Sequence, residues 1–215
     1  MSKSNIRILE IIKEVNADIL VLTETNSVIH PGPDYITCVA SRSLPLNQLY
    51  DNCIHHEGEN RTTIWAKYLL NEQIKTSNDD TNTCCSLSSP FGSIIVYGTI
   101  IGIQGHKKPW FEEDLNNLIK DKDLFSDNCI IAGDFNLSFL DNYYPNVRAK
   151  KKLELFFAES GLVNITKSIP KNIDHIVISK KTLDLFKPEP IVEFMPMIDK
   201  SVSDHKWVSV MFEWK

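Results

Sequence analysis

The sequence is poor in the features that mark specialised classes. No window reaches the ~20 consecutive apolar residues needed to span a bilayer, and the opening "MSKSNIRILE" has no apolar signal core. A cytoplasmic, reducing setting without membrane association is therefore the expectation. Eight glycines and ten prolines in 215 residues exclude collagen-like and low-complexity classes. Basic residues are outnumbered, 23 against 28 acidic, for a net charge of −5. That argues against a broad basic grip on nucleic acid, although a local patch can sit in an acidic total. The five cysteines, Cys38, Cys53, Cys84, Cys85 and Cys129, contain no C-x-x-C pair, so zinc ribbons and thioredoxin-like redox sites lack support. The adjacent Cys84 and Cys85 read as an inert reduced pair. No repeat and no Pro/Gly-rich linker interrupts the chain, so one domain over residues 1–215 is expected.

What is present is an alternation of strand and helix patterns. "SNIRILEIIKEV" places Ile8, Leu9, Ile11, Ile12 and Val15 at helical spacing after a possible cap at Ser4. "ADILVLTET" reads as a buried strand, "HPGPDY" as a turn, and "YITCVA" as a short strand. "RTTIWAKY" is a β-branched strand and "KTSNDDTNTCCS" a turn or exposed loop. "GSIIVYGTIIGI" and "NCIIAGDFN" are further strands, with the amphipathic helix "WFEEDLNNLIKDKDLF" between them. "KKKLELFFAESGL" is a helix that Gly161 can cap. "IDHIVIS" and "KWVSVMFEW" close the chain as strands.

Several of these strands end in acids or amides. Glu24 follows "ILVLT", Asp134 and Asn136 end "IIAGDFN", Asp174 begins "IDHIVIS", and Asp204-His205 precedes the last strand. A strand end is rigid while its side chains leave the core, which is what a catalytic group requires. Carboxylates gathered at one sheet rim make an oxygen-rich pocket suited to Mg²⁺ or Mn²⁺. Singly each feature is ordinary. A strand-end glutamate is usually solvated, "SDH" can be a cap or a turn, and "GDFN" can be a turn with a left-handed asparagine. His175 reads as a packed or exposed strand residue, His55-His56 as a solvated loop, and Lys150–Lys152 as a wet helix face.

The order changes this. "DILVLTET", "YGTI", "AGDFN", "IDHIVIS" and "SDH" follow one another as in the endonuclease/exonuclease/phosphatase superfamily, and the chain resembles that family from Asp18 to its end. The resemblance implies a DNase I-like α/β fold: a four-layer αββα sandwich of two mixed sheets face to face, helices outside, the active site at one rim. It also implies roles. Glu24 matches the metal-binding glutamate and Asp204 an acid of the metal region. Asp134 matches the group that orients or deprotonates the attacking water, and Asn136 the one that positions water and phosphate. His205 matches the histidine on the scissile phosphate, and Asp174 the aspartate that orients it. The implied chemistry is Mg²⁺-dependent in-line hydrolysis of a phosphate ester, Mn²⁺ substituting. Phe135 then needs only to point back into the core.

Two departures stand out. The family normally begins one strand earlier, with a W-N-x-N-like asparagine near the metal. Here no such strand precedes "ADILVLTE", and a start placed too far downstream is the expected reason. The absence predicts unpaired backbone on the strand carrying Glu24 and on the last strand. The second departure follows "VYGTI", where relatives place a phosphate-touching histidine or tyrosine. Gln104 and His106 both stand near that place, and the sequence does not choose between them. Nucleic acid is the expected substrate, with Tyr143, Tyr144, Arg148 and nearby lysines as a strand-binding wall. A phosphatase on a small molecule or lipid headgroup, and a non-catalytic protein on the same scaffold, are the alternatives.

Overall fold

The apolar stripe of the first helix and the β-branched runs that follow set the layers. A computed structural model of the chain describes residues 3–46, 49–50, 53–103, 109–186, 191–195, 203 and 205–212. In chain order the elements are α1 (Lys3–Val15), β1 (Ile19–Asn26), β2 (Thr37–Ala40), β3 (Leu49–Tyr50), β4 (Cys53–Ile54), β5 (Glu59–Ala66), β6 (Leu69–Ile74), β7 (Thr83–Ser89), β8 (Gly92–Ile100), α2 (Trp110–Lys120), β9 (Cys129–Asp134), α3 (Val147–Glu159), β10 (Leu162–Asn164), β11 (Asp174–Ser179), α4 (Lys180–Asp184), β12 (Ile191–Met195) and β13 (Trp207–Met211).

Three sheets matter for the site. A three-stranded sheet runs β1-β5-β2, a six-stranded sheet β10-β11-β9-β8-β7-β6, and β12 pairs with β13. The six-stranded sheet is mixed because β8 and β9 run parallel. The ladders described in the three-stranded sheet are antiparallel. Three apolar clusters separate four layers. Ile12 of α1 packs with Leu20 and Trp65 of the smaller sheet. Val39 and Ile64 meet Leu87 and Val96 between the sheets. Leu115 of α2 and Leu153 of α3 cover Ile131 and Val177 on the outer face of the larger sheet. The order is helix, sheet, sheet, helices: the expected αββα sandwich.

Two glycines set how closely these layers approach. A Cβ on Gly98 would lie 2.7 Å from Thr62 Cγ2 of the facing sheet. A Cβ on Gly133 would lie 1.9 Å from the Thr99 carbonyl oxygen, and its φ is +141°. Only glycine lets β9 run beside β8 up to Asp134.

Among the described residues β1 pairs only with β5, and β13 only with β12. Their other edges carry no ladder among those residues. Val21, Leu22, Trp207 and Val208 are accordingly only half-buried. No helix among the described residues is long and apolar enough to cross a membrane.

Some local expectations are corrected. Ser4 lies inside α1 rather than capping it. The run "TNTCCS" is not a loop beyond Asn82, because Thr83–Ser89 forms β7 with Cys84 and Cys85 fully buried. Burial pushes the Cys85 thiol up to about 12, so the pair is inert as read. His55 is buried against Glu59 at 3.0 Å rather than solvated, while His56 is exposed. β6 went unforeseen, since "LLNEQI" has no strict alternation and one β-branched residue, Ile74.

Candidate active site

Asp134 is the last residue of β9, and Asp174 is the first of β11. The antiparallel register places them directly opposite each other. Two like charges in that position repel. Asp134 is 3% exposed. Burial first, then Asp174, pushes its carboxyl up to about 8, with Glu24 adding and His205 opposing.

Asn136 closes a tight loop onto this carboxylate. Its backbone N–H donates to Asp134 Oδ1 at 2.7 Å and its Nδ2 to Asp134 Oδ2 at 2.8 Å. Nδ2 also donates to the Ile101 carbonyl at 3.0 Å. These bonds need a left-handed backbone, φ 47° at Asn136, which asparagine tolerates. Phe135 between them is fully buried, edge-on to Phe157 and His175. An aromatic wedge between two site residues is thus a core anchor that turns its neighbours outward. A second tether acts from α2: buried Asp114 accepts the Gly102 N–H at 2.9 Å, just after the carbonyl that holds Asn136.

His205 stands beside the pair. Its Nδ1 lies 3.0 Å from Asp174 Oδ2, and an Nδ1–H donates to that carboxylate. The ligand atoms of Asp134, Asp174 and His205 lie within 4.8 Å of one another. Asp174's neighbour His175 points the other way and is 1% exposed. It bridges the Leu137 carbonyl at 2.9 Å and Thr166 Oγ1 at 3.1 Å. Burial lowers its pKa to about 4, so it is a neutral core residue.

Glu24 comes from the facing sheet. The β1–β5 ladder pairs Thr23 with Thr62 and Thr25 with Asn60, skipping Glu24 opposite Arg61. At Glu24 the backbone is left-handed, φ 47°, a conformation that costs a non-glycine residue about 1–2 kcal/mol. Strain of that kind concentrates at functional sites. Its carboxylate is 60% exposed and meets Arg61 Nη1 at 3.5 Å, while the Arg61 side chain is only 10% exposed. Sequence reading missed Arg61, because only the cross-strand register puts it opposite Glu24.

The structure therefore gathers Asp134, Asn136, Asp174 and His205 and turns Glu24 toward their field. Arg148 is exposed on α3 and pairs with Glu112 of α2 at 3.8 Å. Gln104, His106 and Asp204 lie outside the described residues. The donor set fits a divalent cation: two facing carboxylates and an imidazole, one acid pushed up first by burial and then by its neighbour's charge, are relieved by added positive charge.

The model of the family described as Endonuclease/Exonuclease/phosphatase matches residues 1–205. No curated protein matches the sequence. Among solved structures, an AP endonuclease from Archaeoglobus fulgidus superposes with TM-score 0.70 at 14% identity, covering 97% of this chain and 93% of that one. A 3′ phosphatase from Neisseria bound to a product DNA hairpin gives 0.69 at 13% identity, over 99% and 95%. An endonuclease/exonuclease/phosphatase from Beutenbergia cavernae gives 0.68 at 12%, over 100% and 67%. At these identities the likeness is one of fold.

Proposed function

Because the chain belongs to the Endonuclease/Exonuclease/phosphatase family of phosphoester hydrolases, we propose that it is a metal-dependent phosphodiesterase that hydrolyses DNA or RNA by in-line attack of water. The observation that carries this reading is the pairing of two hydrogen-bonded couples at one rim, Asn136 on Asp134 and Asp174 on His205. Asp134 accepts the proton of the attacking water, and Asn136 holds its carboxylate in register for that transfer. His205, kept in one tautomer by Asp174, donates from Nε2 to a phosphoryl oxygen as charge builds there. Glu24 and Asp204 would hold Mg²⁺, or Mn²⁺ in its place. When bound, such an ion would supply positive charge against the phosphate and would lower the pKa of a bound water. Tyr143, Tyr144 and Arg148 would meet flanking nucleotides by stacking and phosphate contact; the two tyrosine rings lie 4.9 Å apart.

The acidic balance, net −5, favours a second reading, a phosphatase on a small molecule or lipid headgroup. Labelled single- and double-stranded DNA and RNA, and a small phosphomonoester, would be incubated with Mg²⁺, Mn²⁺ or chelator. Cation-dependent shortening of a polynucleotide supports the nuclease. Turnover of the monoester alone supports the phosphatase. Turnover of none removes both.

A further inference from the structure

The rim that carries Asp134 continues across the larger sheet into a cavity that the chemistry above does not use. It has a volume of about 570 Å³ and is lined by Ser41 and Arg42 at the exit of β2, Gln73 and Lys75 at the end of β6, and Asn82 and Thr83 at the start of β7. The ladders fix its place. Gly98 of β8 pairs with Thr83 on one side and Ala132 on the other, and Ile100 pairs with Asp134. The cavity is therefore two strands from Asp134 on the same rim, about 10 Å at ~4.8 Å per strand.

Its floor is unfinished. Asn82 and Thr83 are 2% and 3% exposed. Asn82 Oδ1 accepts from Thr99 Oγ1 at 2.8 Å, but Asn82 Nδ2 and Thr83 Oγ1 have no partner among the described residues. A buried polar atom left unpaired costs about 1–3 kcal/mol, and two side by side at one cavity call for an explanation. The wall, by contrast, is preformed. Asp79 Oδ1 accepts both Thr76 N–H and Thr76 Oγ1, and the Arg42 N–H donates to the Asp79 carbonyl at 2.7 Å. Arg42 also pairs with Asp80 at 2.8 Å while staying 70% exposed, and Lys75 is exposed.

We propose that this cavity is a subsite for the sugar-phosphate of a nucleotide flanking the scissile bond, an inference that rests on the nuclease reading and deepens it. Two cations, two amides and hydroxyls are the residue types that hold nucleic-acid backbone. The ~10 Å offset matches about three steps of a strand at ~3.4 Å rise per nucleotide. Asp79 is the one acid in the lining, its Oδ1 held by Thr76; Arg42, 70% exposed, would exchange its surface pair with Asp80 for a phosphate, and Lys75 stands exposed beside it.

The test is binding of fluorescein-labelled 12-mer single- and double-stranded DNA in chelator, by anisotropy across a salt titration. The variants are Arg42→Ala/Lys75→Ala and, on the opposite rim, Lys180→Ala/Lys181→Ala. The first is expected to bind about tenfold more weakly than wild type, with a salt slope shallower by about 1–2. The second should match wild type. Equal losses in both doubles, or none in the first, overturn the subsite even where the wild type cleaves DNA. A wild type that binds no DNA at all overturns it as well, and the hydrolysis panel then says whether the nuclease reading falls with it.

Discussion

Replacing Asp134 by asparagine is expected to stabilise the fold at alkaline pH while removing activity. The carboxyl is almost fully buried opposite Asp174, and its pKa stands at about 8 against 3.8 in the ordinary case. Between those values the native state holds a proton that the unfolded chain has released. Stability therefore falls as pH rises through that window and is lowest above it. At about 1.36 kcal/mol per pH unit the ceiling is on the order of 5 kcal/mol, and relaxation around the charge leaves on the order of 2–3. The asparagine gives up part of this. Its own amide would face Asn136 Nδ2, which now donates to Oδ2 at 2.8 Å, at a cost of about 1 kcal/mol. The net gain is about 1–2 kcal/mol at pH 8 and about −1 at pH 4.5. For a domain of this size that is a rise in Tm of about 2–8 °C at pH 8. Thermal melts of both proteins in chelator at pH 4.5, 6 and 8 measure it. A Tm difference that ignores pH, or favours the variant most at pH 4.5, would refute the reasoning. Added Mg²⁺ should shrink the gap, since only the native carboxylate gains from it.

Acid should act through a different group. His175 is neutral in the fold with a pKa of about 4, so the unfolded chain takes up its proton first, below about 6.5. Wild-type stability should drop by about 3 kcal/mol between pH 6.5 and 4, and His175→Asn should lose most of that dependence in urea melts. Gly133→Ala puts a Cβ 1.9 Å from the Thr99 carbonyl oxygen and should cost about 4 kcal/mol or more. A soluble variant melting within a few degrees of wild type would contradict the close approach of β8 and β9. Arg61→Ala removes a nearly buried guanidinium from Glu24 and should lower kcat/KM about tenfold or more; Arg61→Lys should recover only part, lacking the planar fork.

Much of the site was legible because strand ends are legible. "IIAGDFN" and "IDHIVIS" announce buried strands that stop at an acid, and antiparallel neighbours put those acids side by side. The hydrogen bond from His205 Nδ1–H to Asp174 was implied by family likeness alone, and the two atoms lie 3.0 Å apart. What stayed hidden depends on the third dimension. Arg61 looks like any strand residue until the register sets it opposite Glu24. His55 reads as a polar loop, and the fold buries it against Glu59 at 3.0 Å. β7 escaped because its serines and cysteines carry little strand propensity, yet burial between sheet and helices overrides propensity.

The most direct test of the central claim is kcat/KM for the preferred polynucleotide in Mg²⁺, compared between wild type, Asp134→Asn and His205→Asn, each shown by melting to be folded. A loss of about 10²–10⁴ in each folded variant is predicted, the size expected for a missing general base or a missing phosphate donor. Both variants cleaving within a few fold of wild type would mean that these strand ends are not where the phosphodiester is broken.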